Sequence, residues 1–355
     1  MSDVPIDTTR PVLVTGATGY VAGWIIRRLL EEGVTVHATV RDPSDTAKVG
    51  HLVEMGASLP GEIKLFKADL LQPGSFDEAM KDCAIVMHTA SPYKLNVDDP
   101  QRDLVDPALK GTRNVLEAVS RTETVTRVVL TSSCAAIYGD TADCDDAPGG
   151  ILTEDVWNTT SSVDHIPYSY SKTVAERAAW DMAEAQDRWR LVAMNPAGIY
   201  GPSVGGPIPT SESFNLVRQI AGGEFKSGAP HLETGKVDVR DVAEAHLRGA
   251  FLPDAEGRHI LAEKAGTILE MGAAISAAYP DAPVPRRTMP KWLIWLIGPM
   301  VNKALTRKTV TRTIGHHWRA DNSKARNQLG LTFSNTDKAL VEMYEQMRDA
   351  GLFAK

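Results

Sequence analysis

Short apolar runs alternate with amphipathic stretches along the first 200 residues. PVLVT, from Pro11 to Thr15, is continuously apolar in the manner of a strand buried on both faces. The YVAGWIIRRLLEEG behind it repeats its apolar positions with the period of a helix. Further strands are predicted at Val34–Val40, Ile63–Ala68, Ala84–Ala90, Arg127–Ser133 and Leu191–Asn195, with a helix in LVDPALKGTRNVLEAVSR. Strands that alternate with helices of this length imply an α/β, doubly wound parallel sheet covered on both faces. The pattern breaks after Asn195. PAGIYGPSVGGPIPTS reads as a loop, Glu212 to Ala221 as a short helix, and GKVDVRDVAEAHLRGAF as a brief strand and helix returning to the first domain. The remainder reads as mainly helical, with breaks at Pro280, Pro283, Pro285 and Pro290.

Composition narrows the class. Over 355 residues, 43% apolar and 23% charged residues are an ordinary globular balance, and the net charge of -7 disfavours nucleic-acid binding. Cys83, Cys134 and Cys144 show neither zinc spacing nor a disulfide framework, so a reducing, cytoplasmic location is expected, with no metal. The N-terminal MSDVPIDTTR is polar and unlike a leader peptide, and no apolar run approaches the roughly 20 residues that span a bilayer. Charge is uneven, however. Arg286 to Arg326 holds ten Lys/Arg and one acid, Asp321, giving +9 against -16 for the rest. Within it lies WLIWLIGPMV, from Trp292 to Val301. The favoured reading is a core-packing helix with a solvated basic end. Weak peripheral membrane contact through 291–312, a dimer face and an anionic-substrate site are the others. A monomer or homodimer is expected.

TGATGYVAG lies between the first strand and the first helix. Small residues at Gly16, Gly19 and Ala22 permit a tight turn and close approach of a pyrophosphate to the helix N-terminus, including the amides of Tyr20 and Val21. A dinucleotide-binding Rossmann domain is therefore expected over 1–200, rejoined by 235–265, with a smaller, mainly helical substrate-binding region from 201–234 and 266–355. Beyond the second strand stand Arg41 and Asp42. An acid there suits the ribose of NAD and an arginine the 2′-phosphate of NADP, so NADP(H) is expected, with Lys48 as a second cation and NAD as the lesser option. Arg41 paired only with Asp42, and Lys48 as a surface charge, are the structural alternatives. Asp69 either bonds the adenine amine or caps the next turn.

HIPYSYSKTVAERAAW offers two tyrosines before a lysine. Positions i and i+4 share a helix face, so Tyr168 is the partner of Lys172, and Tyr170 points away. A phenol titrates near 10, and an adjacent ammonium with a bound nicotinamide cation would lower that value enough for acid–base work. Ser133, ending the fifth strand at the sheet edge where such folds bind ligands, is placed to stabilise a carbonyl oxygen. Ser133, Tyr168 and Lys172 together make a candidate hydride-transfer site.

Together with TVRDP, HTASP, GTRNVLEA, VVLTSSCAAIYG, NPAGIYGP and DVRDVAEAHL, these motifs make the chain resemble the extended short-chain dehydrogenase/reductases over nearly its whole length. Within that family it is similar to the branch of dihydroflavonol reductases, cinnamoyl-CoA reductases and NADPH-dependent aldehyde/ketone reductases. The resemblance implies a Ser133–Tyr168–Lys172 triad, with Gly16, Gly19, Tyr20, Val21 and Ala22 at the pyrophosphate. It puts Arg41 and Lys48 at the 2′-phosphate, Asp69 and Leu70 at the adenine, and Thr89, Ala90, Ser91 and Pro196 near the cofactor. His88 reads as a packed histidine, and Asp238, Val239 and Asp241 as structural. Substrate contacts are expected around Tyr93, Cys134, Ile199, Tyr200 and Trp292. Ile166 and Pro167 stand where cinnamoyl-CoA reductases carry Asn and Trp, which counts against that activity. The expected function is NADPH-dependent reduction of an aldehyde or ketone. The alternatives are a 3β-hydroxysteroid-type dehydrogenase, a sugar-nucleotide epimerase, and a non-catalytic NADP-binding redox sensor.

Overall fold

Leu13, Val86, Val128 and Leu130 pack into one apolar cluster, while their strand neighbours Val12, Val14, Met87 and Val129 pack into another. This is the period-two alternation of a sheet with both faces covered. A computed structural model describes residues 4–91, 98–208, 210–302 and 305–353. Its first six strands are β1 (Val12–Val14), β2 (Val36–Val40), β3 (Ile63–Lys67), β4 (Ile85–His88), β5 (Arg127–Thr131) and β6 (Arg190–Pro196). Then come β7 (Gly198–Tyr200), β8 (Glu233–Asp238), β9 (Gly257–Leu261) and β10 (Lys264–Thr267). The main sheet has seven strands in the order β3-β2-β1-β4-β5-β6-β9, paired in parallel throughout. This is the Rossmann-type order with one further strand, and it reverses direction between β1 and β4, where such sheets open a ligand crevice.

Helix Tyr20–Glu31 buries Ala22, Ile25, Ile26, Leu29 and Leu30, a single face at helical spacing, and packs with helix Val239–Phe251 on one side of the sheet. Helices Asp106–Arg121 and Pro167–Glu184 contact each other and contribute to the cluster on the opposite side. The C-terminal part is helical. Phe214, Val217, Ile220, Ile275, Leu340 and Met343 from three helices form its core.

The departures from expectation lie where pairing is long-range. PAGIYGPSVGGPIPTS is not wholly loop, because β7 occupies Gly198–Tyr200 and pairs with β8. β8 belongs to a separate three-stranded sheet, β10-β8-β7, while the helix after it and β9 lie on the main sheet. Three-residue strands carry too little periodicity to be seen without their partners. The WLIWLIG segment is helical over Lys291–Val301, but it is not core-packed: Trp292 is 67% exposed and Met300 86%. No described helix is long and apolar enough to cross a membrane.

Candidate active site

Gly16 has a φ of +65°, and a Cβ there would come 3.0 Å from both Cα and Cβ of Ala90. Only glycine allows the loop after β1 to lie this close to the loop after β4. The two loops are fastened by Thr15. Its hydroxyl accepts the amides of Thr89 at 3.1 Å and Ala90 at 3.0 Å, and lies 3.0 Å from His88 Nδ1. With both lone pairs used, the hydroxyl proton goes to Nδ1, so His88 is neutral and carries its own proton on Nε2. Burial and the nearby Lys172 charge bring His88 down to about 3. It is the packed histidine expected.

Helix Tyr20–Glu31 begins at Gly19 with no side-chain cap and no acid in its first turn. Its first amides are therefore left without helical or side-chain partners, as an anion-binding terminus requires. The Tyr20 side chain turns elsewhere: its hydroxyl donates to the Gly201 carbonyl at 2.5 Å, clasping this helix to the C-terminal part. Leu70 lies against Gly111, where an added Cβ would be 3.2 Å from its own.

Past β2, the Asp42 carboxylate is occupied by the Ser44 amide at 2.9 Å and the Ser44 hydroxyl at 2.6 Å, which hold it below its usual range. Arg41 is exposed and makes no ion pair among the described residues, so it is not simply the partner of Asp42. Lys48 is bound to Asp45 at 2.6 Å. Asp69 caps its turn by accepting the Leu71 amide at 2.8 Å, leaving its second carboxylate oxygen to the solvent side. This chemistry fits a phosphorylated dinucleotide: an uncapped helix end, a guanidinium with no ion pair among the described residues, and a neighbouring acid whose Oδ1 is taken by Ser44.

The Tyr–Lys pair sits on helix Pro167–Glu184, with Pro167 in its first turn. Ile166, just before it, has φ +52° and ψ 59°, left-handed backbone that a β-branched residue enters only at a cost. Its surroundings impose this. His165 and Ser162 bond each other's backbones at 2.8 and 3.2 Å, and the His165 ring meets the buried Asp140 at 2.8 Å. One turn along, Lys172 Nζ lies 6.0 Å from the centre of the Tyr168 ring. The Tyr168 hydroxyl is hydrogen-bonded to Ser133, whose Oγ also accepts the Ala135 amide at 3.1 Å. Ser133, Tyr168 and Lys172 are thus brought together as the spacing predicted. Tyr170 is half-buried.

Burial pushes the Tyr168 phenol up to about 12, opposed by its bond with Ser133. Lys172 alone does not lower it; burial brings the ammonium itself down to about 8, against the pull of Glu176. The lowering expected for Tyr168 thus still rests on the ammonium acting together with a bound nicotinamide cation.

Glu176 escaped the sequence reading. Its buried carboxylate accepts Ser132 Oγ at 2.5 Å, Asn195 Nδ2 at 2.8 Å and Arg258 Nε at 2.7 Å. Asn195 also donates to the Ser133 carbonyl at 3.1 Å. The residue thus fixes the ends of β5 and β6 beneath the triad. Its i+4 spacing from Lys172 was the available signal.

Of the other expected residues, Ser91 is described and half-buried, and the Pro196 carbonyl lies 3.5 Å from Ser133 Oγ. Cys134 is buried, its thiol donating to the Asn195 carbonyl at 3.0 Å, and Tyr200 is buried in the C-terminal core. Ile199 packs against the main-sheet cluster, and Trp292 stands exposed on an outer helix. Tyr93 lies outside the described residues.

Residues 12–260 match the model of the NAD dependent epimerase/dehydratase family. The chain is 39% identical over 280 residues to a cinnamoyl-CoA reductase of Medicago truncatula, covering 78% of this chain and 83% of that one. It is 32% identical over 290 residues to a dihydroflavonol 4-reductase of Gerbera hybrida, covering 79% and 76%. The structure of yeast methylglyoxal/isovaleraldehyde reductase complexed with NADPH superposes with a TM-score of 0.76 at 27% identity, over 96% of this chain and 99% of that one.

Proposed function

The chain belongs to the NAD dependent epimerase/dehydratase family, as an oxidoreductase of the extended short-chain type, and we propose that it reduces an aldehyde or ketone to an alcohol using NADPH. The observation that carries this reading is the Tyr168 hydroxyl, bonded to Ser133 just past the end of β5 and one helical turn before Lys172.

In this reading the Gly16–Ala22 loop holds the pyrophosphate, Arg41 the 2′-phosphate, and Lys172 the nicotinamide ribose. Bound NADPH would supply the hydride to the carbonyl carbon. Tyr168, kept protonated by burial, donates its proton to the carbonyl oxygen. Ser133 donates to the same oxygen and orients it. The Lys172 ammonium stabilises the phenolate left behind. Arg41, exposed and without an ion pair among the described residues, supports NADP over NAD and weakens the epimerase alternative. The relatives' names support a carbonyl substrate, with aliphatic aldehydes and flavonoid-type ketones as the classes to offer first. The C-terminal stretches 201–234 and 266–355 are proposed to shape the substrate pocket.

The test is NADPH consumption with a small aliphatic aldehyde, an aromatic aldehyde, a bulky cyclic ketone and a dihydroflavonol. Turnover of at least one, with the alcohol recovered, is expected. Binding of NADPH with no turnover of any class would count against the reading and favour a sensor.

A further inference from the structure

Six of the nine large apolar side chains exposed among the described residues lie on the single helix Lys291–Val301: Trp292, Trp295, Leu296, Ile297, Met300 and Val301. Only Ile294 and Gly298 turn inward, and Ile294 meets Val310 and Ile314 in a small core of its own. Gly298 faces Leu305 at ordinary contact distance. The result is two short helices, Lys291–Val301 and Arg307–Thr313, packed on each other with an apolar outer edge. Such an edge on a water-soluble surface marks an interaction site.

The charge around it selects the partner. From Ala282 to Ala320 the sequence has eight Lys/Arg and no acid; Arg312 and Arg319 are paired with Asp140, Asp143, Asp146 and Asp145 of the neighbouring segment, which leaves the basic excess to the others. Arg307 lies over the Trp295 ring at 4.5 Å, while Arg286 and Lys308 make no ion pair among the described residues. A second copy of the chain would set two such basic sets against each other. An anionic lipid surface neutralises them, and exposed Trp with Leu and Met flanked by Lys and Arg is the composition of an interfacial helix. At 11 residues the helix is too short to span a bilayer and suited to lie along its surface.

We propose that the 286–314 segment docks this protein onto an anionic phospholipid surface, with the outer edge of Lys291–Val301 seated at the headgroup–acyl boundary. The helix pair is fastened to the rest of the molecule by Arg312, which bonds Asp140 at 3.2 Å and Asp143 at 2.7 Å. Asp140 in turn holds His165, two residues before the helix of Tyr168. Docking therefore presents the candidate active site at a fixed orientation to the membrane. The inference stands independently of which carbonyl is reduced.

The experiment is flotation of the full chain with vesicles of phosphatidylcholine alone and of phosphatidylcholine with phosphatidylserine at about 7:3, at low and high salt. The protein should float with the mixed vesicles, release as salt rises, and bind neutral vesicles weakly. Leu296→Glu with Met300→Glu alters two exposed positions and should keep the melting temperature while reducing binding at least about tenfold. Arg286→Gln and Lys308→Gln should each weaken it roughly fivefold. Absence of vesicle binding, equal binding to neutral vesicles, or an unaffected double variant each overturns the proposal. Self-association lost in the double variant, with no vesicle binding, would assign the helix to a second copy instead.

Discussion

Glu176 and Arg258 form a buried ion pair, with Nε 2.7 Å from Oε1, linking the helix of Tyr168 and Lys172 to β9 across 82 residues of sequence. Arg258 adds bonds to the carbonyls of Glu154 at 2.8 Å and Val156 at 2.6 Å, and its guanidinium lies 3.9 Å from the Trp157 ring. A buried pair of this kind costs desolvation to form, and more to break on one side. Glu176→Leu and Arg258→Met should each destabilise by about 3–5 kcal/mol. The double variant Glu176→Leu/Arg258→Met should lose less than the sum of its single changes. Chemical unfolding in a double-mutant cycle measures this coupling, and strict additivity would show that the pair does not act as a unit.

Arg41 should decide between the cofactors. Its guanidinium is unpaired among the described residues, whereas Lys48 already has Asp45. Arg41→Ala is expected to raise the KM for NADPH by about 10- to 100-fold, the worth of a charge-assisted bond, and to leave that for NADH nearly unchanged. Lys48→Ala should do less. Equal effects on both cofactors would remove Arg41 from the 2′-phosphate.

The rate of reduction should fall on the alkaline side as pH rises through about 8. Burial brings Lys172 down to that value, so its ammonium, which supports the Tyr168 phenolate, is lost above it. Tyr168, pushed up to about 12, remains a proton donor throughout this window in the cofactor-free protein. A kcat/KM profile for a good carbonyl substrate reads this limb. A profile flat to pH 10 would exclude Lys172 from that role.

Acid should destabilise the fold well before carboxylates titrate. Burial brings His88 to about 3 and His246 and His259 to about 4, against the usual 6.5. These histidines are neutral when folded and take up protons when unfolded, so stability is present near neutrality and is lost as pH falls from about 6.5 towards 4. Three protons give a limiting slope of about 4 kcal/mol per pH unit. Urea unfolding at pH 7, 5.5 and 4.5 measures it, and His88→Gln should remove about a third of the slope. No change in stability over that range would contradict the account.

The strands β1 to β6, the Gly16–Gly19 turn and the Tyr168–Lys172 pair were legible because each is written locally, in period-two or period-3.6 patterns or in fixed short spacings. Ser133 could be placed because the end of a strand fixes where a side chain emerges. Arg258 could not, since its meaning depends on Glu176, 82 residues away. β7 and β9 were missed for the same reason: pairing with β8 and β6 makes them strands, and their short sequences do not. Lys291–Val301 misled in the opposite direction. Its apolar composition predicts burial, but among the described residues Val310, Ile314 and a few neighbours cover one side alone.

The central claim is that the Tyr168 hydroxyl delivers the proton that completes carbonyl reduction. Tyr168→Phe removes that oxygen and keeps the ring beside Lys172. The measurement is NADPH oxidation by this variant with the best carbonyl substrate, alongside NADPH binding by fluorescence. Binding close to wild type with kcat reduced by about 10²- to 10⁴-fold is the predicted result. Turnover within a few-fold of wild type would contradict the claim and move proton donation to another group.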